Sequence, residues 1–212
     1  MLETVKNRYE AFGPTVVKAL KKRHFEAFYC STKQEALEKA ISLIPSDHVV
    51  SWGGSMTADE IGLRTAVKQK GYKIIDRETA KNPEERTKLM KDSLTCNTFI
   101  MSSNAITQDG ELFNIDGVGN RVAALCYGPD SVLVIAGMNK IVKDMDEAYL
   151  KVRNFTAPCN NNRFNLEIPC KITGACSDCL SPQSCCCEFV ETRMCRPEGR
   201  IKVILVGEHL GI

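Results

Sequence analysis

Short apolar segments rich in β-branched residues alternate with amphipathic segments along most of this chain. The clearest apolar segments are SVLVIAG at residues 131–137 and RIKVILVG at residues 200–207. Between such segments apolar residues recur at helical spacing, as in STKQEALEKAISLI at residues 31–44. Right-handed crossovers join strands that alternate with helices, so the strands run parallel and helices cover both faces. The sequence therefore predicts an α/β fold with a mostly parallel, Rossmann-like sheet and helices on both faces.

The same pattern predicts the remaining elements and their order. Strands are expected at residues 24–30, 48–52, 72–76 and 97–102, helices at 58–70, 83–93 and 144–155, and a hairpin at 107–119. Capping-box spacing places helix starts at Ser31 and at Thr57. We expect a single domain over 1–212, with an N-terminal helical segment and first strand at 1–30. Residues 157–197, which hold four prolines and no sustained period, form a Cys-rich irregular C-terminal insertion before the last strand.

Charge and hydropathy exclude two classes of partner. Lys and Arg number 28 against 26 Asp and Glu, and the two signs are mixed along the chain, which argues against nucleic acid as a partner. The apolar runs are far shorter than the ~20 residues that a membrane span needs, and residues 1–22 lack a signal-peptide core. We therefore expect a cytoplasmic protein without a membrane span, whose cysteines are reduced or bound to metal.

A glycine loop lies between a predicted strand and a predicted helix. Gly53, Gly54 and Ser55 follow the strand, and Thr57 comes at the predicted helix start. Glycines allow a ligand to approach the backbone, and free N–H groups at a helix start favour an anion. Ligands also bind at the carboxyl ends of strands in open α/β sheets. The alternative is a tight turn that binds nothing.

Polar residues are concentrated near the middle of the chain, at strand ends and turns. Small polar groups with two cations at such positions can hold an anionic or polyhydroxyl ligand. Turn chemistry is the alternative, because Asn and Asp are favoured where the backbone turns. The candidate residues are Asn104, Asp116, Asn120, Arg121, Asn139 and Lys140.

Six of the eleven cysteines lie within residues 169–187. Cys170, Cys176 and Cys179 have the spacing C-x5-C-x2-C, and the triplet Cys185-Cys186-Cys187 follows. Two cysteines at C-x2-C can chelate one metal, and more distant cysteines can complete a tetrahedral thiolate site for zinc or an iron–sulfur cluster. Redox-active thiols or disulfides, and merely buried thiols, are the two alternatives.

Several sequence segments together resemble the LUD-domain family of lactate utilisation proteins, formerly a domain of unknown function. They are GGSMTADEIG, SSNAITQDGELFNIDGVGNRVAAL, YGPDSVLVIAGMNKIV, EAYLKVRNFTAPCNNNR, PCKITGACSDCLSP and RIKVILVGEHLG, which cover most of residues 30–212. The resemblance implies the fold of the NagB/RpiA/CoA-transferase-like superfamily. It also implies a link to the oxidation of lactate to pyruvate, in some members alongside an iron–sulfur subunit.

The resemblance also implies particular site residues. The cysteine pattern of the family falls on Cys170, Cys176, Cys179 and Cys186, with Cys185 and Cys187 as neighbours that leave the fourth ligand open. The anion-binding loop of the superfamily corresponds to Gly53, Gly54, Ser55 and Thr57. The acidic catalytic motif of the isomerases is absent, and Glu111 is no more than a candidate for the nucleophilic glutamate of the transferases, which argues against assigning either reaction.

The functional expectation is a component of lactate or related 2-hydroxy-acid utilisation. Such a component binds a small anionic metabolite at the glycine loop and carries an iron–sulfur cluster or zinc on its thiolates. One alternative is a non-catalytic redox-sensing or scaffold subunit, and another is a sugar-phosphate or acyl-CoA enzyme of the same fold. An iron–sulfur subunit and a second copy of the chain are the expected protein partners.

Overall fold

The computed structural model describes residues 1–212 and contains ten strands and nine α-helices. The strands are β1 (Glu26–Cys30), β2 (Val49–Trp52), β3 (Lys73–Ile75), β4 (Thr98–Met101), β5 (Ala105–Thr107), β6 (Leu112–Asp116), β7 (Ser131–Gly137), β8 (Ile141–Val142), β9 (Glu188–Thr192) and β10 (Ile201–Val206). The helices are α1 (Glu3–Lys22), α2 (Lys33–Ser42), α3 (Met56–Glu60), α4 (Leu63–Gln69), α5 (Pro83–Asp92), α6 (Asn120–Cys126), α7 (Met145–Lys151), α8 (Ala157–Asn161) and α9 (Pro169–Thr173).

The main sheet has six strands in the order β1-β10-β7-β4-β2-β3. Every neighbouring pair is parallel, which confirms the predicted α/β fold. All seven residues of β7 are buried, because this strand lies inside the sheet with both faces covered. Parallel strands place their carboxyl ends at one edge, and the loops that follow β2, β3, β4 and β7 therefore meet there.

Two apolar cores lie on the two faces of this sheet. On one face Val132 and Val134 of β7 pack with Leu20 of α1 and Leu125 of α6. On the other, residues of β7 that alternate with these pack with α2, α3 and α4. The alternation follows from the two-residue repeat of a strand, so helices cover both faces as predicted.

A second, smaller sheet has the order β8-β5-β6-β9. The predicted hairpin is β5 and β6, which pair antiparallel. Gly110 in its turn has φ +86°, and a Cβ there would lie 2.6 Å from the backbone nitrogen of Leu20, so the turn packs directly on α1. The fourth strand, β9, pairs antiparallel with β6.

The structure corrects three local predictions. The segment 157–197 is not wholly irregular, because it contains α8, α9 and β9. The single helix expected at 58–70 is divided into α3 and α4 by Gly62, whose φ is +76°. The helix starts are also displaced, because Thr32 rather than Ser31 caps α2, and Ser55 rather than Thr57 caps α3. In each cap the hydroxyl accepts a hydrogen bond from the N–H three residues on.

None of the nine helices combines the length and the apolar character that a membrane crossing requires.

Candidate functional site

A cleft of about 640 Å³ opens at the carboxyl edge of the main sheet. Each of four parallel strands contributes residues from the loop that follows it, as expected for an open α/β sheet. These residues are Gly54 and Ser55 after β2, Arg77 after β3, Ser102, Ser103 and Asn104 after β4, and Lys140 after β7. The C-terminal part of the chain also contributes lining residues, which include Thr156, Arg163, Cys185 and Ile212.

The cleft is strongly cationic. Five arginines and one lysine line it, against two carboxylates. The cations are Arg64, Arg77, Arg86, Arg121, Arg163 and Lys140, and the carboxylates are Glu78 and Asp116. A cavity with low-dielectric walls and charges of one sign concentrates ions of the other sign, so the cleft is suited to an anion.

The glycine loop allows two guanidinium side chains to approach the backbone. A Cβ at Gly53 would lie 3.1 Å from Cγ and Cδ of Arg121, and one at Gly54 would lie 3.3 Å from Nη2 of Arg77. The Ser55 hydroxyl accepts from the N–H of Ala58 and caps α3. That helix has only five residues, so the charge of the cleft comes from its side chains rather than from a helix dipole.

The guanidinium of Arg121 is hydrogen-bonded to other residues of the protein. Its Nη1 donates to the backbone oxygen of Ser102 and, at 2.6 Å, to Oδ1 of Asn114. Its Nη2 donates to Oδ1 of Asn104 at 3.0 Å and to the backbone oxygen of Ile115 at 2.7 Å. Burial lowers the pKa of Arg121. The side chain therefore joins the end of β4 to β6, and its terminal N–H groups are already used.

Two other predicted site residues also form hydrogen bonds with backbone groups of the protein. Asp116 accepts from the backbone N–H groups of Gly117, Arg121 and Val122, and so caps the start of α6. Asn139 both accepts from and donates to the backbone of Leu210, which holds the C-terminal segment against the sheet.

The predicted site residues therefore divide into two groups. Seven line the cleft: Gly54, Ser55, Asn104, Asp116, Asn120, Arg121 and Lys140. The other three, Gly53, Thr57 and Asn139, lie behind the lining, with the Thr57 hydroxyl donating to the backbone oxygen of Leu210. Glu111 lies in the β5–β6 turn, where it pairs with Arg23 at 2.8 Å, and it does not line the cleft.

Lys140 is the most unusual group in the cleft. Its residue is only 5% exposed, and its Nζ donates to the Ser102 hydroxyl at 2.9 Å. Burial, with the positive charges of Arg121 and Lys151, lowers the pKa of Lys140 to about 7, while Glu60 acts in the opposite direction. A lysine that is half neutral near pH 7 can act as a base or a nucleophile.

Sequence reasoning missed most of the lining residues, among them four arginines and a buried threonine. These five are Arg64, Arg77, Arg86, Thr156 and Arg163. Arg77 directly follows a predicted strand, and ligands bind at the carboxyl ends of strands in such sheets, so its position alone could have identified it as a candidate. Thr156 has no such local pattern, yet its buried Oγ1 has no hydrogen-bond partner. A buried hydroxyl without a partner at the wall of a cleft is a group that a ligand can satisfy.

A second cavity, of about 290 Å³, lies beside the first and is lined by four cysteines of the C-terminal segment. Cys170, Cys176, Cys179 and Cys186 all line it. Arg153 donates to the Cys176 sulfur from Nε and Nη2, and the Asn161 amide donates to the Cys170 sulfur at 3.5 Å. Cationic and amide donors of this kind stabilise thiolates.

The chemistry of these donors fits a thiolate-bound metal or cluster, although they do not form a closed coordination shell. Burial, with the neighbouring thiols, raises the pKa of Cys186 to about 11, so a metal that binds this sulfur must displace its proton. All eleven cysteines are free, and no three His, Cys, Asp or Glu side chains already form a group that could hold a metal ion. Binding would therefore have to draw the sulfurs together.

The two cavities share a wall. Cys186 lines the thiol cavity, whereas the adjacent Cys185 lines the cationic cleft. The wall is held in place because the N–H of Cys187 donates to the backbone oxygen of Asp116 at 2.9 Å.

Comparison with known proteins gives a family and a fold. Residues 14–206 match the family model described as the LUD domain. A solved structure of a DUF162 family protein from Deinococcus radiodurans is 11% identical and superposes with a TM-score of 0.55, over 93% of this chain and 98% of that one. Ribose 5 phosphate isomerase A from Neisseria gonorrhoeae is 17% identical, with a TM-score of 0.36 over 54% of this chain and 56% of that one. No curated protein matches the sequence significantly.

Proposed function

Because the chain belongs to the LUD-domain family, which is associated with lactate utilisation, we propose that it is a component of lactate or related 2-hydroxy-acid utilisation that binds a small anionic metabolite in the cationic cleft. We further propose that the thiol cavity holds an iron–sulfur cluster or zinc.

The excess of cationic groups in the cleft is the observation that carries the first proposal. Guanidinium groups recognise carboxylate and phosphate through paired N–H donors. Arg77 is suited to this role, because its Nη2 lies beside the glycine loop and makes no hydrogen bond to the protein. Thr156 adds a hydroxyl that still needs a partner. Carboxylate recognition would then combine the unengaged Nη2 of Arg77 with neutral donors.

The size of the cleft favours one rival function. Its volume of about 640 Å³ lies in the range typical of pockets for drug-sized ligands and exceeds the needs of a three-carbon acid. A sugar-phosphate or acyl-CoA enzyme of the same fold is therefore the second candidate. A scaffold subunit would need no ligand there at all.

Anion binding is tested by thermal unfolding with L-lactate, pyruvate, inorganic phosphate and ribose 5-phosphate. We expect a carboxylate or phosphate to raise Tm saturably, and we expect Arg77→Met to weaken that ligand about tenfold, because one charged hydrogen bond is lost. Lys88→Met is the matched control, since Lys88 lies on α5 outside the cleft and its side chain is 74% exposed. If no anion raises Tm, the scaffold function is favoured. Preference for the sugar phosphate favours the rival enzyme.

In the second proposal Cys170, Cys176, Cys179 and Cys186 would hold the metal. An iron–sulfur cluster supplies one-electron transfer, whereas zinc supplies structural stability. Arg153 would offset the negative charge of the thiolates, since it already donates to Cys176 and to Asp178. Cys185 and Cys187 lie outside this set, because Cys185 lines the cationic cleft and Cys187 is exposed.

Metal binding is tested by iron, zinc and acid-labile sulfide content, with a visible spectrum, on protein purified without oxygen. We expect a metal in the wild-type chain and its loss in Cys176→Ser and in Cys179→Ser, since each serine removes one thiolate. Cys126→Ser is the control, because Cys126 is exposed on α6 and is far in sequence from the other thiols. A wild-type chain free of metal, or equal loss in the control, would contradict the proposal.

A further inference from the structure

We propose that Lys140 is a nucleophilic amine that forms a Schiff base with the carbonyl carbon of a 2-oxo acid held in the cationic cleft. This inference deepens the proposed function and rests on it, because the carboxylate of the 2-oxo acid must first be bound there. It goes further by assigning a covalent step and a residue that performs it.

The surroundings of Lys140 suit this role. Its Nζ has one neutral partner, the Ser102 hydroxyl at 2.9 Å, and it forms no ion pair with any carboxylate. A lysine that served only to stabilise the fold would normally be paired when so deeply buried. Lys151 is a useful contrast, because it is only half-buried and its Nζ donates to the backbone oxygen of Asn139, outside the cleft.

The protonation state of Lys140 favours reaction near neutral pH. Burial is the main reason that its pKa falls to about 7, and Arg121 and Lys151 add to the effect. At pH 7 roughly half of such an amine is neutral, against about one part in 3,000 for an ordinary lysine. The charged groups that face it are therefore Arg121 from α6, Lys151 from α7 and Glu60 from α3.

The remaining groups of the cleft can orient the substrate. The unengaged Nη2 of Arg77 and the unpartnered Oγ1 of Thr156 line the same cavity as Lys140. A 2-oxo acid carries its carbonyl next to its carboxylate. A guanidinium that holds the carboxylate therefore limits the positions open to the carbonyl carbon, which is the main benefit of binding before reaction.

The step is balanced without any other reagent. The Nζ lone pair forms a bond to the carbonyl carbon while the C=O π pair moves to the oxygen, which takes a proton. The resulting carbinolamine takes a second proton and loses water as the nitrogen lone pair forms the C=N bond. One amine proton returns to solvent before water leaves, and the product is a protonated Schiff base that water can hydrolyse back to the free lysine.

The test is reductive trapping on the wild-type chain. The protein is incubated with pyruvate and sodium cyanoborohydride at pH 7, and the modified lysines are identified by peptide mass spectrometry. We expect Lys140 to react on the order of 100-fold faster than exposed lysines such as Lys88, because far more of it is neutral. Acetone, the neutral counterpart of pyruvate, should react about tenfold more slowly, because a cationic cleft concentrates only the anion.

Three controls make the result specific. Lys140→Arg keeps a cationic side chain and must abolish the rapid adduct, Lys151, which lies outside the cleft, must be labelled more slowly than Lys140, and inorganic phosphate must protect Lys140 by competition. Reaction of Lys140 no faster than that of Lys88, or equal rates with acetone and pyruvate, would overturn the inference. If phosphate raises Tm but no adduct forms, only this inference fails. If none of the four anions raises Tm and phosphate does not protect Lys140, the proposed anion binding fails with it.

Discussion

Replacement of Arg121 by methionine is expected to lower the free energy of unfolding by roughly 3–5 kcal/mol. Methionine keeps the aliphatic contact with Gly53 but removes the four hydrogen bonds from the guanidinium. Two asparagine side chains and two backbone oxygens then lose a buried charged donor. Because these acceptors join the end of β4 to β6, the loss affects the junction between the two sheets.

Urea unfolding measures this effect, and Arg64→Met is the matched control. Arg64 also lines the cleft, but its guanidinium pairs with the half-exposed carboxylate of Asp59. An ion pair of this kind contributes about 1 kcal/mol or less. We expect the Arg121 variant to unfold at much lower urea concentration and the Arg64 variant near the wild-type value. Equal effects would mean that Arg121 is simply one more cleft cation.

The second large effect is a rise in stability with pH that depends on Lys140. The folded chain holds the pKa of Lys140 at about 7, whereas the unfolded chain restores its ordinary value of 10.5. Between these values the unfolded state binds more protons, so stability must rise with pH. The gain is about 1.4 kcal/mol per pH unit, or roughly 4–5 kcal/mol across the window, and it is lost as pH falls towards 7.

Lys140→Met separates this contribution from other titrations. Buried thiols act with the opposite sign at alkaline pH, because burial raises the pKa of Cys30 and of Cys96, the latter to about 12. The difference between wild type and variant cancels these thiols. We expect the methionine variant to be more stable at pH 7 by a few kcal/mol, with the difference shrinking towards pH 10. A difference that does not change with pH would show that Lys140 stays charged throughout.

Local patterns were sufficient to predict the main sheet. Each parallel strand is a short apolar run bounded by turn residues, and right-handed crossovers leave few alternative arrangements. The hairpin at β5 and β6 was also predictable, because the Asp109-Gly110 pair marks its turn. The sequence also indicated Asn104, Asn120 and Lys140 as candidates, because polar residues at strand ends and turns can hold a ligand.

Contacts between distant parts of the chain account for what was not predicted. Strand β9 alternates half-buried and exposed residues inside a Cys-rich segment, and only its pairing with β6 makes it a strand. The wall formed by Thr156 and Arg163 depends on how that segment folds back, which no short window reports. Arg121 was predicted to bind a ligand, but its terminal N–H groups donate to the protein, a distinction that requires coordinates.

The shared wall at Cys185 and Cys186 would couple ligand binding in the two cavities if the thiol cavity holds a metal as proposed. A Cβ at Gly117 would lie 3.1 Å from Cα of Cys185, so the wall is tightly packed against the cleft. A metal that drew Cys186 inward would therefore be expected to alter the cleft through the adjacent Cys185. Any resulting coupling free energy is reciprocal, so an anion that binds better to the metal-loaded chain must tighten the metal by the same factor. The apparent affinity of the chain for one ligand would then depend on the concentration of the other.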